Sequence, residues 1–232
     1  MTAELLPLYD KNYECLMCNN SFTSKKARSR FVRMVKYDTD FRPIYSTDGV
    51  NPLYYYVKVC PHCGFSFSDD FLPFFAPGSK EVITEKVCNE WVSQDFGGER
   101  NVQQAIHTLK LASYCGTLKK EKHINLAGLY MRLAWLYREL ENNEQELRFT
   151  NLALNEYVES YTTDDYKGTQ VTEVRMFYLI GELSRRTNNI DQATKYFSKV
   201  IENQKNTTEA TTVEMAKERW HEIREMQKAA NV

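Results

Sequence analysis

The chain has no proline after Pro77, although six prolines lie within its first 77 residues out of 232. Proline lacks an N–H and clashes with the preceding turn of a helix, so the long remainder is free of the strongest helix breaker. Apolar runs are also short. None approaches the ~20 residues of a membrane-spanning helix, and the longest candidates are broken by Lys, Arg or Glu. The opening MTAELLPLYDKNYEC has no basic stretch followed by an apolar core, so it does not read as a secretory signal. There is no excess of one charge, with 30 basic and 31 acidic residues and a net charge of -1, which argues against wholesale nucleic-acid binding. Gly-rich phosphate loops, Ser or Cys–His nucleophile pairs and HExxH are missing. Histidine is scarce, and His107, His123 and His221 are isolated from one another. These absences leave an ordinary globular chain with no membrane segment, expected in the cytoplasm.

What is present falls into two grammars that meet near residue 78. Before it, Arg30–Tyr37 and Tyr54–Val59 are rich in β-branched and aromatic residues and are separated by turn formers such as Asp48-Gly49 and Asn51-Pro52. After it, caps and 3.6-residue periodicity predict seven helices: 79–94, 101–118, 125–140, 144–161, 171–186, 191–203 and 209–229. The expected fold class is therefore α+β and mostly α, with a β domain over 1–78 and a helical domain over 79–232.

Short turns make successive helices antiparallel neighbours. Two of the pairs superimpose at an offset of 47 residues, placing Ala134, Glu146, Thr150 and Ala153 opposite Gly181, Ala193, Phe197 and Val200. Gly181, Ala193 and Phe197 supply the small, small and aromatic positions of a tetratricopeptide (TPR) unit, where two helices cross closely. The offset exceeds the usual 34, so 156–170 reads as an insertion or a helix extension. A generic antiparallel bundle is the alternative.

Six cysteines without an export signal fit a reducing compartment, where paired Cys more often hold metal than form disulfides. Cys15-x-x-Cys18 and Cys60-x-x-Cys63 are separated by 41 residues. Two CxxC pairs with hairpin-like strands between them predict a four-cysteine Zn2+ ribbon, the metal playing a structural part. The residue after each pair often needs φ > 0, and Gly64 and Asn19 are the two residue types that adopt it most readily. A redox dithiol is expected at the start of a helix and would leave Cys15 and Cys18 unexplained. Four thiolates also close the shell, which argues against catalysis at the metal. His62 lies inside the turn and is read as a surface residue, and Cys88 and Cys115 as buried core thiols.

Two further features carry possible chemistry. Asp38, Asp40 and Arg42 would lie on one face of a strand and could bind a cation or phosphate, or else form a charged hairpin turn. Lys25, Lys26, Arg28, Arg30, Arg33 and Lys36 form a short basic stripe without an intervening acid. It reads as a solvated face, as an offset to a thiolate-rich site, or with Tyr54–Tyr56 as a nucleic-acid surface.

The blocks Asp38-Thr39-Asp40-Phe41, Asn51-Pro52-Leu53-Tyr54 and Val59-Cys60-Pro61-His62-Cys63-Gly64 lie in this order in the first half. Ala134-Trp135-Leu136-Tyr137-Arg138 and Tyr178-Leu179-Ile180-Gly181-Glu182-Leu183-Ser184-Arg185-Arg186 follow downstream. Together they resemble the bacterial domain of unknown function 2225 family over nearly the whole chain. The resemblance implies a cytosolic protein of Gram-positive bacteria and their relatives. It supports the architecture and gives no catalytic residues to carry over. The expectation is a non-enzymatic zinc-binding interaction protein whose TPR-like groove holds a protein or peptide partner. Exposed residues such as Arg132, Arg138, Tyr178 and Arg185 would line that groove. The alternatives are nucleic-acid binding through the basic ribbon, and an enzyme using Asp38, Asp40 and Arg42.

Overall fold

The computed structural model describes residues 5–230, so the first four residues of the N-terminal segment lie outside the description. The fold is α+β and mostly helical, with two compact units. One comprises the chain up to Tyr37 together with Pro43–Glu121; the other comprises Asp38–Arg42 and the chain from Lys122 onward.

The first unit begins with β1 (Leu8–Glu14) and β2 (Ser21–Ala27), an antiparallel hairpin in register from Leu8↔Ala27 to Glu14↔Ser21. β3 (Met34–Tyr37) pairs with β4 (Pro43–Tyr45) around a register shift, and β5 (Lys58–Val59) pairs with β6 (Ser66–Phe67). The two strands expected at 30–37 and 54–59 are thus much shorter. Ser29–Phe31 and Pro52–Tyr55 are 3-10 turns instead. In the second, the Asn51 side chain accepts the Leu53 N–H and Pro52 presets the first helical φ. That cap outweighs the β preference of the tyrosines.

The helix expected over 79–94 is also shorter. It comprises α1 (Ser79–Ile83) and one π turn (Thr84–Cys88), and its N-cap is Gly78. α2 (Val102–Lys119) is closed at its start by a reciprocal Asn101–Gln104 capping box. Its stripe of Ala105, Ile106, Leu109, Ala112 and Cys115 is buried, and α2 packs on α1, β5, β6 and the Pro52–Tyr55 turn. The change of grammar near residue 78 is therefore not the edge of the first packing unit, which runs to Glu121 because the small β elements need the apolar face of α2 as their core. A buried ion pair closes this end. Lys119 Nζ donates to Glu121 Oε2 and to the Phe74 carbonyl, each at 2.7 Å, while Glu121 accepts the Leu72 N–H at 3.2 Å.

The second unit contains α3 (His123–Glu139), α4 (Asn143–Thr163), α5 (Glu173–Arg186), α6 (Ile190–Glu202) and α7 (Ala210–Ala230). α3 starts earlier than expected because the Asp165 carboxylate accepts the His123 and Ile124 N–H groups, an anion at a helix N-terminus. The turns α3–α4 and α5–α6 coincide at the 47-residue offset. Glu141 and Asn188 are left-handed (φ 55° and 61°), and Asn142 and Asn189 cap the next helix. The Asn142 N–H donates to Tyr137 O, and the Asn189 N–H to Ser184 O. The extra length of the first pair is mainly helix extension, since α4 has 21 residues against 13 in α6. The core centres on Met176, Tyr178, Ile180, Leu183, Ala193, Phe197 and Val200.

Candidate functional site

The four cysteines of the CxxC pairs converge in the first unit, their sulfurs all within 4.8 Å of one another. Cys15 Sγ lies 3.6 Å from Cys63 Sγ, and Cys18 Sγ 3.7 Å from Cys60 Sγ. A disulfide would bring two sulfurs to ~2.05 Å. A tetrahedral Zn2+ with bonds of about 2.3 Å spaces its sulfurs about 3.8 Å apart, and the observed separations fit that shell.

Each pair is built by the same turn. The Asn19 N–H donates to Cys15 O, and the Cys15 N–H to Asn20 O; in the second pair the Gly64 N–H donates to Cys60 O, and the Cys60 N–H to Phe65 O. Asn19 (φ 59°) and Gly64 (φ 72°) take the left-handed conformation that lets the chain reverse, as their residue types suggest. The turns aim the N–H groups of Met17 and Cys18 at the Cys15 sulfur, and those of His62 and Cys63 at the Cys60 sulfur. Asn20 Nδ2 donates to Cys18 Sγ at 3.4 Å. β1 and β2 carry the first turn, β5 and β6 the second. Arg100 steadies the approach to β5: its guanidinium donates to the Phe96, Tyr54 and Val57 carbonyls and to Ser24 Oγ. Burial lowers its pKa to about 10, which leaves it charged at neutral pH.

The indole of Trp91 covers the second turn. Its Nε1 donates to the Pro61 carbonyl at 2.9 Å, and its ring lies where a Cβ on Gly64 would stand. Past Cys88 the helix ends in a turn, the Trp91 N–H donating to Cys88 O, and the chain lays Trp91 on the second CxxC turn. Cys88 is half-buried at the end of the π turn and not on a buried stripe, while Cys115 is fully buried and accepts the Ser66 N–H. Burial pushes the Cys115 thiol up to about 12, which leaves it inert.

As bare thiols, Cys15, Cys60 and Cys63 are in conflict. Donation by Cys15 and Cys63 pulls the Cys60 thiol down to about 2. Its hydrogen bond to Cys60 pushes Cys15 up to about 12, and contact with Cys15 and Cys60 pushes Cys63 up as well. A divalent cation at the centre removes the conflict by favouring all four thiolates at once. The donor set therefore fits Zn2+, with Cys15, Cys18, Cys60 and Cys63 as the residues that can hold it.

Asp38, Asp40 and Arg42 sit elsewhere, in the second unit, and on a tight loop instead of one strand face. The Asp38 N–H donates to Arg42 O and the Phe41 N–H to Asp38 O, with Phe41 left-handed at φ 61°. Asp40 is buried and accepts from Trp135 Nε1 at 3.0 Å, from Arg138 at 2.7 Å and from its own Arg42 N–H. Asp38 accepts from Arg138 at 2.8 Å and pairs with Arg186 at 3.2 Å. Thr39 Oγ donates to the fully buried Glu182 and accepts from Arg186, and its carbonyl accepts from Tyr178 Oη. Burial alone would raise the Asp38 carboxyl, but the Thr39 N–H and the charges of Arg186 and Arg138 outweigh it and hold the group low. Burial also lowers the pKa of Arg42.

The groove residues expected to be exposed are correspondingly engaged. Tyr178 is buried, Arg138 is shared among Asp38, Asp40 and Glu146, Arg185 pairs with Glu182, and Arg132 donates to the Gly128 carbonyl. Trp135, Arg175, Glu182 and Arg186 were not anticipated. The signal for the last three lies in the spacing 175, 178, 182 and 186, which places polar and aromatic groups on one face of α5. In the basic stripe, Lys25 pairs with Asp10 at 2.9 Å and Arg33 with Asp48, and Arg28 lies over the Tyr9 ring. Tyr56 donates to Asp70, and Arg100 lies over Tyr55. Among the described residues, no helix is long and apolar enough to cross a membrane.

No curated protein and no solved structure matches the chain. The family described as "Uncharacterized protein conserved in bacteria (DUF2225)" matches residues 8–223, a span that takes in both CxxC pairs, the 38–42 loop and the helices through most of α7. The chain belongs to the DUF2225 family.

Proposed function

We propose that this is a non-enzymatic interaction protein in which a structural Zn2+ staples the first unit and TPR-like helix pairs of the second hold a polypeptide. The observation that carries the reading is the seating of residues 38–42 on α3 and α5, where each residue from Asp38 to Phe41 meets a helix side chain. A helical face that already recognises a short loop of chain side chain by side chain is suited to polypeptides. The zinc part is supported by the sulfur separations near 3.7 Å. Against an enzyme using Asp38 and Asp40 stands the saturation of both carboxylates by arginine, indole and backbone donors. Asp40 is buried and Asp38 half-buried, each accepts several hydrogen bonds, and Asp38 is held low, with no proton poised for exchange at neutral pH.

The test is affinity capture by the full chain from a bacterium that encodes it. The expected result is a polypeptide retained in stoichiometric amount and released when α5 is altered by Arg175→Ala with Arg186→Ala. Capture of no polypeptide, or capture indifferent to α5, contradicts the interaction role.

A further inference from the structure

Six helix side chains touch the loop: Trp135 and Arg138 from α3, and Arg175, Tyr178, Glu182 and Arg186 from α5. With Arg185 paired to Glu182 and Glu146 to Arg138, four arginines against two glutamates leave this face with two positive charges in surplus, and Asp38 and Asp40 supply two negative ones. Arg42 adds a positive charge at the loop's exit, opposed by Glu139 and by the same aspartates. The aromatic position is equally specific. Phe41 packs on Tyr178 with ring centroids 5.2 Å apart, and the Arg175 guanidinium lies over its ring at 4.2 Å from the centroid. Phe41 holds a left-handed φ of 61°, a conformation that costs a bulky residue free energy and persists only where its surroundings compensate. The loop is thus held by its side chains, as a bound ligand is.

We propose that this face is a receptor for an Asp-Thr-Asp-Phe segment, that residues 38–41 occupy it in cis, and that a partner polypeptide carrying the same pattern competes for the seat. The inference rests on the interaction reading above and adds the chemistry of the partner. A seat filled in cis lowers the apparent affinity for any competitor by the fraction of molecules in which it is empty. Weakening the resident segment therefore tightens binding of the competitor.

The experiment uses the full chain and a fluorescein-labelled peptide of the sequence Met34–Tyr45, followed by fluorescence anisotropy. A second peptide carries Asn at both aspartate positions. The chain is prepared as wild type, as Asp40→Asn, and as Phe41→Ala, which keeps the ion pairs and serves if the first variant does not fold. The proposal expects a variant chain to bind the acidic peptide at least about tenfold more tightly than wild type does, and expects no chain to bind the Asn peptide. A folded variant that binds neither peptide, or both equally, overturns it. If both variants lose their thermal transition, wild type decides: binding of the acidic peptide alone at high concentration supports the proposal, and no binding overturns it. Failure of the peptide with a partner still captured removes only the Asp-Thr-Asp-Phe assignment. Failure to capture any polypeptide removes the broader reading.

Discussion

At Gly64 two separate requirements exclude a side chain: a φ of 72° and the Trp91 ring standing where a Cβ would be. At Asn19, the equivalent place in the first turn, φ is 59° and only the first requirement is evident. Gly64→Ala is therefore expected to cost at least about 2 kcal/mol, and Asn19→Ala about 1 kcal/mol, in chemical denaturation of the zinc-loaded chain. Equal costs would show that Trp91 is not seated on the turn. Asp38 makes a prediction in pH. A carboxyl held low in the folded state adds stability above its unfolded pKa of about 3.9, and that stability is lost as pH falls through the lower folded value. Asp38→Asn should accordingly be less stable than wild type at pH 7 in urea melts, with the difference shrinking below about pH 4. A difference independent of pH would assign its cause to packing and not to the charge.

At the scale of elements, α5 and α6 cross where Gly181 faces Phe197, and a Cβ on Gly181 would come within 2.9 Å of the ring. Gly181→Ala should cost about 1–3 kcal/mol by overpacking. Combined with Phe197→Leu it should cost less than the two single changes together, because the smaller side chain makes room. Strict additivity in thermal melts would place the two residues out of contact. These elements were readable in the sequence for a physical reason. Asn101, Asn142 and Asn189 announce helix starts through local side-chain bonds, and the stripes of α2 and α5 repeat at helical period. β1 and β2 were not readable. Their residues are largely polar, and only Phe22 and Ser24 of β2 are buried, so no alternation of apolar residues marks them. Tyr54 and Tyr55 misled because a cap three or four residues earlier in the chain decides their conformation.

At the scale of the molecule, the clustering of the four cysteines was legible and the loop's seat was not. The cysteine pairs declare themselves by local spacing, whereas Asp40 meets Trp135 and Arg138 across 95 and 98 positions and Thr39 meets Arg186 across 147. Nothing local to the loop encodes those partners. The limit of the first unit at Glu121 has its own consequence, since metal-binding energy is folding energy in small metal domains. Removing the metal with a strong chelator should raise hydrogen exchange in β1, β2, β5, β6 and also α2, while α5 and α6 keep their protection. Protection retained throughout α2 would return the boundary to about residue 78. The most direct test is the metal content of the purified, folded chain by elemental analysis. Four thiolates closing one tetrahedral shell predict about one zinc per chain, falling toward none when Cys60 and Cys63 are both replaced by serine. A fully folded chain that contains no zinc would contradict the account.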